Sequence, residues 1–168
     1  MRLASGRPSW QLGFPVKKSR FLEQIRNELR ARFDRLSAAA LEAHAAATDP
    51  GSKAEGKYDT RSLEASYLAA GQARQVDELA EWVRIFDTLD LADFEGGDAI
   101  DAGALVTVDL RGETVFFLLV PVSGGLVIVA EGREITLLTP ASGLYQKLLG
   151  LRVGDCLETP PLRVTGVA

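Results

Sequence analysis

Asp49-Pro50-Gly51-Ser52-Lys53-Ala54-Glu55-Gly56 is the stretch that decides how this 168-residue chain is read. Pro50 and Gly51 stop a helix, and the sequence on either side, Lys17 to Thr48 and Lys57 to Leu89, has helical spacing. Each flank runs for about 30 residues, a rod of about 45 Å at 1.5 Å per residue. Helices of that length joined by so short a connection pack as antiparallel neighbours. The expectation is a two-helix hairpin over residues 17–92, with an acidic tip at 49–56.

Working outward, Leu22, Leu29, Leu36 and Ala43 recur every seven residues, with Ile25, Ala39 and Ala46 at the matching second position. This is coiled-coil spacing. Arg32 breaks the seam and Phe33 is expected to turn in beside it. The seam shrinks to alanine at Ala39, Ala40, Ala43, Ala46 and Ala47, so the hairpin should taper toward its tip. On the return helix, Leu63, Tyr67, Ala70, Val76, Leu79, Val83 and Phe86 form an apolar face, and Ala69, Ala70 and Ala73 should meet the alanines of the first helix. Residues 1–16 are rich in turn formers and show no helical or strand period, which reads as a flexible extension unless Trp10 and Phe14 find an apolar surface.

The stretch Asp93-Phe94-Glu95-Gly96-Gly97-Asp98 reads as a linker, and residues 100–168 as a second domain. Val106, Val108 and Leu110 alternate, Thr114 to Val120 is a buried-looking run, and Leu126 to Ala130, Arg133 to Thr139 and Leu162 to Val167 follow as strands. Ser123-Gly124-Gly125 is a hairpin signal, Glu131-Gly132 another turn, and Ser142 is placed to cap a short helix over Leu144 to Leu149. The fold class is α+β, with the helical hairpin followed by a small, mainly antiparallel sheet carrying one helix.

Composition narrows the function classes. The longest apolar run, Val115 to Val122, contains Pro121 and falls far short of the ~18 residues of a membrane span. No signal-peptide core is legible, which favours the cytoplasm. One cysteine and one histidine exclude an internal disulfide and a Cys/His zinc site, so any metal must be held by oxygen. A net charge of -4 argues against general attraction to bare nucleic acid. Neither a nucleophile elbow nor a phosphate-binding loop occurs. His44 reads as a solvated or partly packed helical histidine, and Cys156 as a small core residue or a reactive thiol.

Two features carry candidate chemistry. Asp49 and Glu55 at the tip are positioned as oxygen ligands for a magnesium ion completed by a partner. Equally, Asp49 opens a turn and Ser52-x-x-Glu55 forms a capping box. Arg26 with Arg30, and Arg32 with Arg35, are close enough on the first helix to make basic patches. Against that, Glu28 with Arg32 and Arg30 with Asp34 have the i,i+4 spacing of a solvated, ion-paired face.

The segments Gly103-Ala-Leu-Val-Thr-Val-Asp-Leu, Phe117-Leu-Leu-Val-Pro, Leu138-Thr-Pro-Ala-Ser and Leu148-Leu-Gly-Leu-Arg-Val-Gly-Asp155 look like successive signatures of the bacterial Gre-type transcript cleavage and elongation factors. Lys57-Tyr-Asp-Thr60 and Leu63-Glu-Ala-Ser-Tyr-Leu-Ala69 resemble the start of the return helix in a Gre-related branch, so the resemblance runs from residue 17 to about 160. It implies an FKBP-like C-terminal domain at the rim of the secondary channel of bacterial RNA polymerase, with the hairpin inserted toward the nascent RNA 3′ end. It also implies tip carboxylates, Asp49 and Glu55, that share Mg²⁺ with the polymerase and stimulate its own cleavage of backtracked transcripts. On this reading the chain is a monomer without an active site of its own and needs no cofactor when alone. The family motif, however, sets Asp three residues before Glu and follows it with Asn; here Asp49 and Glu55 are six apart and Gly56 stands in the Asn position. That departure keeps a non-cleaving channel-binding regulator as the alternative. A prolyl isomerase would need an aromatic pocket, whereas Trp10 and Trp82 lie outside the α+β domain and Phe116 and Phe117 should point to opposite faces of a strand.

Overall fold

The computed structural model describes residues 18–48, 61–95, 97–130 and 132–168. Helix α1 spans Lys18–Thr48 and α2 spans Arg61–Thr88, lying against each other as a hairpin. The strands are β1 (Leu105–Leu110), β2 (Glu113–Leu119), β3 (Val127–Ala130), β4 (Arg133–Leu138), β5 (Cys156–Glu158) and β6 (Pro161–Val167). Helix α3 covers Gly143–Leu148 between β4 and β5.

The six strands form one sheet in the order β3-β4-β2-β1-β6-β5. All neighbours are antiparallel except β2 and β4, which run parallel with Phe116 opposite Ile135 and Leu119 opposite Leu138. That parallel pair corrects the reading of Ser123-Gly124-Gly125 as a simple hairpin. Val120 N–H already donates to Leu138 O at 2.8 Å, and Gly125 N–H to Leu137 O at 2.9 Å, so the chain leaving β2 is held to β4. It crosses over and returns as β3 on β4's far side. Gly124 is required there, because a Cβ on it would stand 2.6 Å from Thr139 Oγ1.

Both faces of the sheet are covered, which explains the continuous apolar run in β2. Phe117 and Leu119 face one core with Val106, Val108, Leu162 and Val164, closed by Tyr145 and Leu148 of α3. Phe116 and Leu118 face the other, as the two-residue period of a strand dictates. That second core is shared with the hairpin: Phe21, Leu22, Ile25, Leu29, Leu79 and Phe86 pack against Leu118, Ile135 and Leu137. The base of the hairpin is therefore the lid of the sheet. Each such side chain taken fully out of water contributes about 1.5–3 kcal/mol.

Three details differ from the sequence reading. Strand β5 was not anticipated; it pairs with β6 across a turn containing a cis Thr159–Pro160 bond. Ser142 occupies the N-cap position of α3, but its side chain makes no capping bond. Tyr67, placed on the apolar face by its spacing, is 71% exposed; among the described residues of α2 the first buried one is Leu79.

Candidate functional site

The hairpin divides into an anchored base and an open distal half. At the base, the Arg26 guanidinium reaches the end of α2. Its Nε donates to Phe86 O at 2.7 Å, and its Nη2 to Leu89 O at 3.1 Å and Asp87 O at 3.4 Å. The last carbonyls of a helix lack partners within it and carry partial negative charge, so a cation there both satisfies and complements them. One turn further along α1, Arg30 Nη2 meets Asp87 Oδ1 at 2.6 Å. Arg26 and Arg30, the basic candidates for RNA proximity, are thus brought together at the α1/α2 junction, and Arg30 takes Asp87 rather than Asp34. Arg32 does pair with Glu28 as its i,i+4 spacing indicates, at 2.7 Å. Phe33 turns in and packs against the shared core.

Lys18 completes the base and was not singled out from the sequence. Its Nζ donates to Ala92 O and, at 3.1 Å, to Gly103 O, and it stands 4.5 Å from the centre of the Phe94 ring. One ammonium therefore ties the first turn of α1 to both ends of the segment joining α2 to β1. Burial pushes its pKa down from 10.5 to about 8, with the Asp93 charge opposing the shift. The signal was present in the spacing. Lys18 precedes Leu22, Ile25 and Leu29 by four, seven and eleven residues, so it lies on the apolar stripe.

Beyond the base the hairpin carries a groove. Ala40, Leu41, His44, Ala69, Ala70 and Ala73, from both helices, line this open space of about 610 Å³. Ala40, Ala69, Ala70 and Ala73, among the alanines expected along the seam, form part of its walls, and Leu41 is 71% exposed. Ser37 Oγ, beside this groove, and Gln72 Oε1 on α2 are buried without hydrogen-bond partners. His44 is exposed, as is Cys156 on β5.

Asp49 and Glu55 lie outside the described residues. Among the described residues, no three His, Cys, Asp or Glu side chains gather where they could hold a metal ion, and no helix is long and apolar enough to cross a membrane. Phe116 and Phe117 face opposite cores, so they do not jointly line a pocket.

No protein-family model matches this chain, and no curated protein sequence matches it. Among solved structures, GreA factor homolog 1 (Gfh1) of Thermus thermophilus matches at 24% identity, over 85% of this chain and 94% of that one, with a TM-score of 0.34. The chain is similar to Gre-related factors. Gfh1 of Thermus aquaticus matches at 20% identity over 84% of this chain and 92% of its own, with a TM-score of 0.32. A further structure, of the transcription factor Gfh1, gives 21%, 84%, 92% and 0.34 for the same quantities.

Proposed function

We propose that this chain is a Gre-like factor that binds bacterial RNA polymerase, seats its sheet domain at the rim of the secondary channel, and inserts its hairpin to stimulate cleavage of backtracked transcripts. The observation that carries the reading is the division of the hairpin. All buried hairpin residues among those described fall between Lys18 and Leu29 or between Leu79 and Phe86. The stretch of α1 from Leu29 to Thr48 is about 28 Å long at 1.5 Å per residue. A probe anchored at one end and unburied along the rest suits insertion into a narrow channel. The signature run from Gly103 to Asp155 supports the same family.

On this reading the chain acts as a cytoplasmic monomer and lends the polymerase groups rather than working as an enzyme. Asp49 and Glu55 help hold a magnesium ion belonging to the polymerase site. The contribution of the described residues is mechanical: Arg26 and Arg30 hold α1 to the end of α2, and Lys18 ties the start of α1 to the segment that enters β1, so the hairpin works from a fixed base. The six-residue spacing of the tip carboxylates and Gly56 in the Asn position favour a second reading, a channel-occupying regulator that does not cleave.

Purified backtracked elongation complexes with magnesium separate the two. RNA cleavage is read with and without the protein while binding is followed in the same tubes. The expected outcome is stimulated cleavage that Asp49→Ala with Glu55→Ala abolishes, with polymerase binding nearly intact. Binding of the wild type without cleavage establishes the regulator instead, and absence of binding overturns both readings.

A further inference from the structure

The lining of the distal groove has an internal symmetry. On α1, Ser37, Ala40, Leu41 and His44 are spaced three, one and three residues apart. On α2, Ser66, Ala70, Ala73 and Asp77 are spaced four, three and four apart. Each set reads the same from either end: a polar residue, two apolar ones, a polar residue. Spacings of three and four keep each set on one stripe of its helix, and on α1 that stripe lies beside the seam of Leu29, Leu36 and Ala43.

The midpoints of the two sets also coincide in height. Arg26 Nε donates to Phe86 O at 2.7 Å, which sets those residues about level. In an antiparallel hairpin each step toward the tip on α1 matches a step back along α2. Leu41, fifteen residues beyond Arg26, therefore stands level with Gly71, fifteen before Phe86. The α1 set is centred between Ala40 and Leu41, and the α2 set between Gly71 and Gln72. A surface that reverses onto itself about one point meets the demand of a two-fold axis, under which residue i touches j while j touches i.

We propose that this face of the hairpin is the interface of a weak, reversible dimer, in which two copies pack antiparallel as a four-helix bundle about that point. Leu41, 71% exposed in one copy, then sits over Ala40 of the second, whose small side chain leaves room for it. Ala70 meets Ala73, His44 stands opposite Ser37, and Asp77 opposite Ser66. The flanking Arg74 falls opposite Ala69, so neither Asp77 nor Arg74 is set against a like charge. A parallel pairing would lay α1 on α2, and neither set would meet itself. The occupant is a second copy because the groove carries both halves of the fit, alanine walls and an exposed leucine beside them.

The size of the contact sets its strength. With the axis at that height, Phe33 of one copy is level with Thr48 of the other. The helices overlap over those fifteen steps, about 22 Å, and two helices abreast are about 20 Å wide. The footprint is about 450 Å² on each copy and about 900 Å² in all, below the ~1,200 Å² of stable complexes. Association in the micromolar range follows. Paired hairpins cover the face that a channel would enclose, so pairing and insertion exclude each other and the dimer is a reserve form. That consequence rests on the function proposed above; the dimer itself does not.

Sedimentation equilibrium of the full chain alone, from about 1 to about 500 µM, tests the interface without polymerase. The average mass should climb from the 18.1 kDa of one chain toward twice that value. Leu41→Glu, at an exposed position, should weaken association at least about tenfold, because pairing would bury an unpartnered charge. Val129→Glu on β3, where Val129 is 65% exposed, should leave it unchanged. With the one native thiol removed by Cys156→Ser, Ala40→Cys should form an intermolecular disulfide, since it lies one step from its own copy across the axis. Thr48→Cys, about 22 Å from its copy, should not. A mass of 18.1 kDa at every concentration overturns the inference, and so does association that Leu41→Glu leaves intact or that Val129→Glu weakens equally. Equal cross-linking at both cysteine positions overturns the antiparallel arrangement. A chain that stays monomeric yet needs Leu41 to bind polymerase overturns it too, because the occupant is then the polymerase.

Discussion

The two halves of the hairpin are made of the same helices and held by different physics. At the base, Phe21, Ile25, Leu29 and Phe86 are buried to 2% exposure or less against a sheet that supplies an equally apolar face. Cationic side chains close the joint on backbone carbonyls. In the distal half the seam narrows to alanine, which has too little side chain to fill the space between two helices, and a groove remains. Alanine suits the helix as a local structure but contributes little to packing. Helical order and tertiary anchorage are therefore separable along one element, and the large hairpin residues that are buried lie where there is a sheet to receive them.

The sharpest way to break the contrast is to cut one residue from each half. Phe86→Ala removes a side chain with no exposed surface and should cost about 3–5 kcal/mol in urea unfolding. Leu41→Ala in the distal groove should stay within about 0.5 kcal/mol. If the two costs are equal, the base and the distal half are not distinct.

Arg26→Ala comes next, at about 1.5–3 kcal/mol, because it leaves the end of α2 without its charged donor. Arg26→Lys should recover only part of the loss, since an ammonium cannot reproduce the fork that spans Phe86 O and Leu89 O. Full rescue by lysine, followed in the same unfolding measurement, would show that charge alone closes the joint.

A pH slope isolates Lys18. Its folded pKa of about 8 lies below the ordinary 10.5, so between those values the unfolded chain binds more protons than the folded one. Stability attributable to Lys18 therefore rises with pH across that window, and its burial costs most below pH 8. Thermal unfolding at pH 7 and pH 10 should show the wild type gaining on Lys18→Met as the pH increases. A difference that does not change with pH would mean that the ammonium is not desolvated.

The smallest effect belongs to the most visible ion pair. Arg30 and Asp87 side chains are 54% and 38% exposed, and a double-mutant cycle should return a coupling of no more than about 1 kcal/mol, diminished further by salt.

The helices were legible because their periods persist over four or more turns, and the sheet because β1, β2, β4 and β6 alternate or run apolar between glycine-rich turns. The shared core was less legible. Phe21 lies off the heptad seam of Leu22 and Leu29, and its burial follows from a sheet that no pattern within α1 announces. Strand β5 is only Cys156-Leu-Glu158, too short to carry a period. The β2/β4 neighbourhood depends on which carbonyls capture the turn at Val120 and Gly125, a tertiary fact that a Ser-Gly-Gly signal does not encode. Lys18 escaped notice because a lysine at a helix start reads as a boundary, although its place on the apolar stripe was there to be seen. At the candidate site, spacing anticipated the Glu28–Arg32 pair but not the turn of Arg26 and Arg30 toward α2. Partners from a distant helix displace local ones whenever they offer unpaired carbonyls.

The joints made by Lys18 and Arg26 have one further consequence. In each, the hydrogen bonds run from a side chain on one side to main-chain oxygen on the other: Ala92, Gly103, Phe86 and Leu89 all accept through carbonyls that any residue would supply. The information for these joints is thus written once, in the donor. In a saturation mutagenesis screen the tolerance map should be lopsided, with the exposed Ala92 accepting many replacements while Lys18 and Arg26 accept few, though all three meet at the same base.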